Sequence, residues 1–144
     1  MFAAAPLHRH PVASAGAYHQ IGVETGVGGA SAHELVTMLF DGFNDAVAQA
    51  RSALQQRRVE AKCKAITRAV RIVDEGLKAV LDLNGGGKLA ADLSALYGYV
   101  ALRMTEANLN NDSAALDECV RLMEPVRSAW VAIGPGATAT PSAQ

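Results

Sequence analysis

Residues 59–80 read VEAKCKAITRAVRIVDEGLKAV. Val59, Cys63, Ile66, Val70, Val73, Leu77 and Val80 recur at spacings of 4, 3, 4, 3, 4 and 3. A strand would alternate with a period of two, so this run is a helix that buries one stripe against neighbours, as in a bundle or coiled coil. The spacing predicts a helix over about 59–83. Asn84-Gly85-Gly86-Gly87 should end it, because glycine readily takes the left-handed conformation that closes a helix.

Three more helical segments flank this run. Ser31 followed by Glu34 forms a capping-box signature and opens a helix over about 32–55, with Leu35, Leu39, Phe43, Ala46, Ala50 and Leu54 on its apolar face. A third helix is expected over about 88–109, its seam set by Leu89, Leu93, Leu96, Val100, Met104 and Ala107. Asn110-Asn111-Asp112 supplies the next turn, and a fourth helix follows over about 113–132 with Leu116, Val120, Met123, Val126 and Trp130 inward. Pro125 lies inside that helix, where it removes a donor, so a kink or break is expected near Arg121–Glu124. Long helices joined by short loops imply an all-α, antiparallel up-down-up-down four-helix bundle. The helices share no internal sequence repeat.

The bundle should occupy residues 31–133. Residues 1–30 are rich in Ala, Gly and Pro and carry only Arg9 and Glu24 as charged groups; they read as a flexible segment with an anchor around Tyr18 and Ile21. Residues 134–144, GPGATATPSAQ, read as a second flexible tail. Thirteen Lys and Arg face fourteen Asp and Glu, a balance that argues against binding a nucleic-acid backbone. Neither a signal peptide nor an 18-residue apolar run is evident, so the expectation is a cytoplasmic protein with no membrane insertion. Cys63 and Cys119 fall at apolar-periodic positions and are expected to be buried free thiols. The densest basic stretch, Lys62, Lys64, Arg68 and Arg71, reads as a solvated helix face.

Catalytic chemistry finds little support. All four histidines, His8, His10, His19 and His33, lie at or before the start of the first helix, and no glutamate has histidine three positions on, as a di-iron bundle needs. Gly85-Gly86-Gly87 completes no phosphate-binding fingerprint. No catalytic residue, metal or cofactor is therefore expected.

Two features suggest binding. Between Leu89 and Leu102 only Asp92 is charged, too little polar surface for the outside of a small bundle, so a further chain should cover this helix. The second helix also carries a row of mostly small residues, Ala65, Ala69, Ile72, Gly76 and Ala79, and the third a similar row, Ala90, Ser94, Tyr97, Ala101 and Met104. Facing each other, the rows would form a trough for an amphipathic helix. Alternatively, alanines simply fill helix positions by propensity. Asp41-Gly42 places a glycine inside the first helix, where close packing by a neighbour or ligand would offset its cost.

Four blocks carry a family resemblance. They are Tyr18 with Ala30-Ser31-x-x-Glu34-Leu35-Val36-x-Met38-Leu39-Phe40-Asp41-Gly42; Lys64-Ala65-Ile66-x-x-Ala69-x-x-Ile72-Val73-x-Glu75; Gly86-Gly87-x-Leu89-Ala90-x-x-Leu93-x-x-Leu96-Tyr97-x-Tyr99 with Ala107-Asn108 and Asn111-Asp112; and Leu122 to Ala129-Trp130. Together they resemble the bacterial flagellin export chaperones of the FliS family. The chain departs from the family pattern at Ala32, where proline is usual after the cap, at Phe40, where tyrosine is usual, at Pro125, and in the long stretch before Tyr18. The resemblance implies a four-helix chaperone that binds the disordered C-terminal segment of flagellin, blocks its premature polymerisation and brings it to the export gate without nucleotide. It implies that the segment around Tyr18 and Ile21 packs near the client site. Expected client-side positions are Tyr18, Ile21, Ala69, Ile72, Gly76, Tyr97, Ala101 and Asn108, the apolar ones burying client side chains and Asn108 bonding client backbone. The rival reading is a self-associating helical adaptor, a homodimer whose third helix is covered by a second copy.

Overall fold

The computed structural model describes residues 31–134. Tyr18 and Ile21 lie outside these residues, as do the segment 1–30 and all but the first residue of 134–144. Four rods make up the described chain: α1 (Ala32–Gln55), α2 (Val59–Arg71) continuing into a π-helical stretch (Ile72–Lys78), α3 (Gly87–Asn110) and α4 (Ser113–Ala132). Each rod packs on the next, and α1 closes the ring on α4, so the fold is an all-α up-down-up-down bundle.

The first helix starts where its chemistry dictates. Ser31 Oγ accepts from the Glu34 amide at 3.0 Å, and Glu34 Oε1 accepts from the Ser31 amide at 3.0 Å, so two amides that lack intrahelical partners are satisfied. At the far end Arg57 takes a φ of 58°, while the Arg57 and Arg58 amides reach back to the Leu54 and Ala53 carbonyls. This closing motif normally places glycine at the left-handed position. Asn111, φ 52°, turns the chain after α3, and Asp112 caps α4 by accepting from the Ala115 amide at 3.2 Å.

The core is continuous from Phe43, Ala46 and Val47 of α1 through Ile66, Ile72, Val73 and Leu77 to Val100 and Met104 of α3 and Leu116 and Met123 of α4. Burying a side chain such as Phe43 contributes about 1.5–3 kcal/mol. The small-residue row on α2 has a packing role. A Cβ on Gly42 would sit 3.3 Å from Ile72 Cδ1, and a Cβ on Gly76 would sit 3.1 Å from Leu39 Cδ2. Each backbone thus receives a large side chain from the other helix, and the cost of two helical glycines is offset by close approach. Gly42 is explained by this neighbour.

Several expectations are corrected. The second helix ends at Lys78, before the Asn84–Gly87 run, and its last turns widen: the Ala79 amide bonds the Asp74 carbonyl, five residues back. Within this wider stretch Ile72, Val73, Gly76 and Leu77 are buried. The glycine run instead coils around Asp82, which accepts from the Asn84 and Gly85 amides at 3.1 and 2.8 Å, and Gly87 has a φ of 63°. Pro125 neither breaks nor ends α4, which runs unbroken to Ala132. Pro125 and Arg121, the residue whose carbonyl loses its helical donor to the proline, are both exposed. Val59 and Leu89, expected on the interior seams, are exposed because each lies in the first turn of its helix, beyond the packed length. Cys119 is buried and free as expected, whereas Cys63 is free but only half-buried. Lys64, Arg68 and Arg71 lie on a solvated face, but Lys62 does not: it is 5% exposed.

Candidate functional site

Of the two rows read as a possible trough, Ala65, Ala69, Ile72 and Gly76 of α2 and Ala90, Tyr97, Ala101 and Met104 of α3 are interior, whereas Ala79 and Ser94 are half-buried and line a common cavity of about 640 Å³. Ala69 and Ile72 are 0% and 1% exposed, Gly76 is buried under Leu39, and Tyr97 and Ala101 are 3% and 8% exposed. Of the residues expected to meet a client, Asn108 alone is both described and partly exposed, and it is already engaged. Its carbonyl accepts from Lys62 Nζ at 2.9 Å, and its side-chain oxygen accepts from the Cys63 thiol at 3.5 Å. Burial pushes the Tyr97 phenol far above its ordinary range, so the ring is a neutral interior group.

What the structure leaves uncovered is the row one residue further along α3. Ala91, Ala95, Gly98, Leu102, Thr105 and Leu109 follow one another at spacings of 4, 3, 4, 3 and 4, and all face outward, Gly98 partly covered. Leu102 and Leu109 are 56% and 80% exposed. Thr105 turns its hydroxyl back to the Ala101 carbonyl, 3.0 Å away, which presents its methyl. An a/d-type spacing on a surface is a seam without its partner helix. The end nearer Ala91 is small, so a backbone can approach closely; the end at Leu109 is bulky. The seam was present in the sequence, but three adjacent rows of α3 are equally uncharged, and periodicity alone does not say which one points out.

Polar groups rim the seam. Lys88 pairs with Asp92 at 2.8 Å. Tyr99 donates to Glu118 at 2.6 Å, and Arg103 bridges Glu118 at 2.9 Å and Glu106 at 2.8 Å. The Tyr99 hydroxyl, and after it Arg103, hold the Glu118 carboxyl below the usual carboxylate range, and the same hydrogen bond raises the Tyr99 phenol. This network fastens α3 to α4 beside the apolar row.

Among the described residues no group of three or more His, Cys, Asp and Glu is placed to hold a metal, and burial pushes the Cys119 thiol up to about 11, so it stays protonated. No described helix is long and apolar enough to cross a membrane.

The profile of the family described as "Flagellar protein FliS" matches residues 14–137. The chain belongs to the FliS family. It is 46% identical to the flagellar secretion chaperone FliS of Salmonella typhimurium over 122 residues, which cover 85% of this chain and 90% of that one. The Escherichia coli protein of the same name is 40% identical, covering 79% of this chain and 84% of its own. The Bacillus subtilis one is 31% identical, covering 79% and 80%. The FliS match therefore embraces the whole described bundle, the outer seam included.

Proposed function

We propose that this chain is a flagellar secretion chaperone that works in the cytoplasm. It binds the C-terminal segment of flagellin, prevents its premature polymerisation and delivers it to the flagellar type III export apparatus. Membership of the FliS family, across most of the chain, carries this reading. The outer seam of α3 supports it: from Ala91 to Leu109 it offers about 27 Å of small and apolar surface, enough to dock a client helix of five turns. A client segment that folds as it binds forfeits about 2–5 kcal/mol or more to its own ordering, so a contact of this length is required.

In this proposal Leu102 and Leu109 meet the client directly, with Asn108, Tyr18 and Ile21 as further contacts. Ala69, Ile72, Gly76, Tyr97 and Ala101 act from beneath by setting the spacing of the helices. The uncovered seam also suits a second copy of this chain, so a self-associated state is the competing reading.

Isothermal titration with flagellin from the same cell, intact and lacking its last ~40 residues, the length able to wrap a bundle, tests the proposal. One-to-one binding of the intact form alone supports it. Binding of both forms, or of neither, refutes the client assignment, and a stable dimer in sedimentation with no flagellin binding favours the adaptor.

A further inference from the structure

The end of the bundle that holds the α1–α2 loop carries a cavity of about 350 Å³ lined by Ala53, Leu54, Arg57, Arg58, Val59, Lys62 and Asn111. Three of these are cationic and none is a carboxylate. The Lys62 side chain is buried, yet its ammonium is bonded to two neutral oxygens only, the Asn108 carbonyl and Asn111 Oδ1. A buried cation is ordinarily paired with an anion. Here the two oxygens, at the carboxyl end of α3, supply partial negative charge and occupy two of its three donors. Arg58, at the start of α2, reaches only Gln56 Oε1 at 3.5 Å, and α2 has no side-chain cap on its first amides. Two arginines and a lysine therefore line this cavity together with Ala53, Leu54 and Val59.

We propose that this cavity binds the carboxylate of a peptide, with an apolar side chain of that peptide against the aliphatic wall. The guanidiniums of Arg57 and Arg58 take the carboxylate oxygens and the third Lys62 donor completes the set, as charge-assisted bonds to carboxylates require. Val59, 65% exposed, is the apolar lip that the peptide covers. A bare phosphate would satisfy the donors but leave the aliphatic wall open to water, so an oxyanion joined to an apolar group fits better.

Arg57 offers a clean test, because it sits at a left-handed position that glycine fills with less strain. Arg57→Gly keeps or raises the thermal midpoint while removing one guanidinium. The probe is a short acetylated peptide ending in leucine with a free carboxylate, titrated into the isotope-labelled full chain and followed by amide shifts. Saturable shifts at Val59–Lys62 and Asn111, weakened at least fivefold by amidating the peptide, by Arg57→Gly and by Arg58→Gln, are expected. Equal binding of the amidated peptide, an affinity unmoved by either substitution, or no saturable shift at these amides overturns the proposal. Inorganic phosphate is the second arm: displacement of the peptide only at large excess is expected, and binding as tight as the peptide's overturns the peptide assignment.

Discussion

If α1 and α2 interlock through Gly76 and Leu39, then filling one side should be tolerated only when the other side is emptied. Gly76→Val adds two methyl groups beyond a Cβ that already lies 3.1 and 3.3 Å from the Leu39 methyls. Leu39 is 6% exposed and has little room to move. Overpacking of this kind costs about 1–3 kcal/mol, and the better helix propensity of valine returns only a few tenths. At about 4–8 °C per kcal/mol for a domain of this size, the thermal midpoint should fall by about 3 °C or more. Leu39→Ala alone should cost about 2–5 kcal/mol by leaving a cavity. In the double variant the valine methyls occupy that cavity, so the combined loss should be smaller than the sum by about 1 kcal/mol or more. Urea unfolding followed by the 222 nm helix signal measures all four proteins. A Gly76→Val midpoint equal to the parent's, or strictly additive losses, would refute the interlock.

Three further outcomes follow from other parts of the bundle. Replacing Leu102 and Leu109 by glutamate should change stability by no more than about 0.5 kcal/mol per site, since both are exposed, yet abolish flagellin binding in the titration described above. Because Tyr99 and Arg103 lower the Glu118 pKa from its ordinary 4.5, the stability that carboxylate adds is present above that value and is lost as pH falls through the lowered pKa. Thermal scans from pH 7 to pH 3 should therefore show a shallower acid decline in Glu118→Gln than in the parent; identical declines would contradict the sign. Cys119, fully buried with its thiol pushed up to about 11, should resist a thiol reagent at pH 8 until urea unfolds the chain, while half-buried Cys63 reacts first; mass mapping of the labelled site decides.

The architecture was readable because its signals are local. The Ser31–Glu34 box, the seam of α2 and the Asn111-Asp112 turn each act through bonds or spacings of a few residues. The boundaries of α1 and α4 agree with those signals to the residue. What could not be read depends on distant groups. Gly76 and Ala69 look like an exposed groove until Leu39 and its neighbours are placed over them. Lys62 belongs by spacing to a solvated basic face, yet it is drawn inward by carbonyls some fifty positions along the chain. The widened turn at Ile72–Lys78 is invisible to any fixed-period template, because it changes the period itself. On α3 the sequence pointed to the right helix and left its outward row undetermined, since charge was absent from every candidate row.

His33 and Trp130 join the beginning of α1 to the end of α4: their rings stack at 4.8 Å, His33 Nε2 donates to the Trp130 carbonyl at 2.6 Å, and Trp130 Nε1 donates to the His33 carbonyl at 3.1 Å. The two exits of the bundle are thus neighbours. Tension applied through them would peel α1 from α4 one turn at a time, like opening a zip from its tab, instead of sliding the helices lengthwise against all their contacts at once. Mechanically the molecule is soft along that one direction, and the clasp is the first tooth.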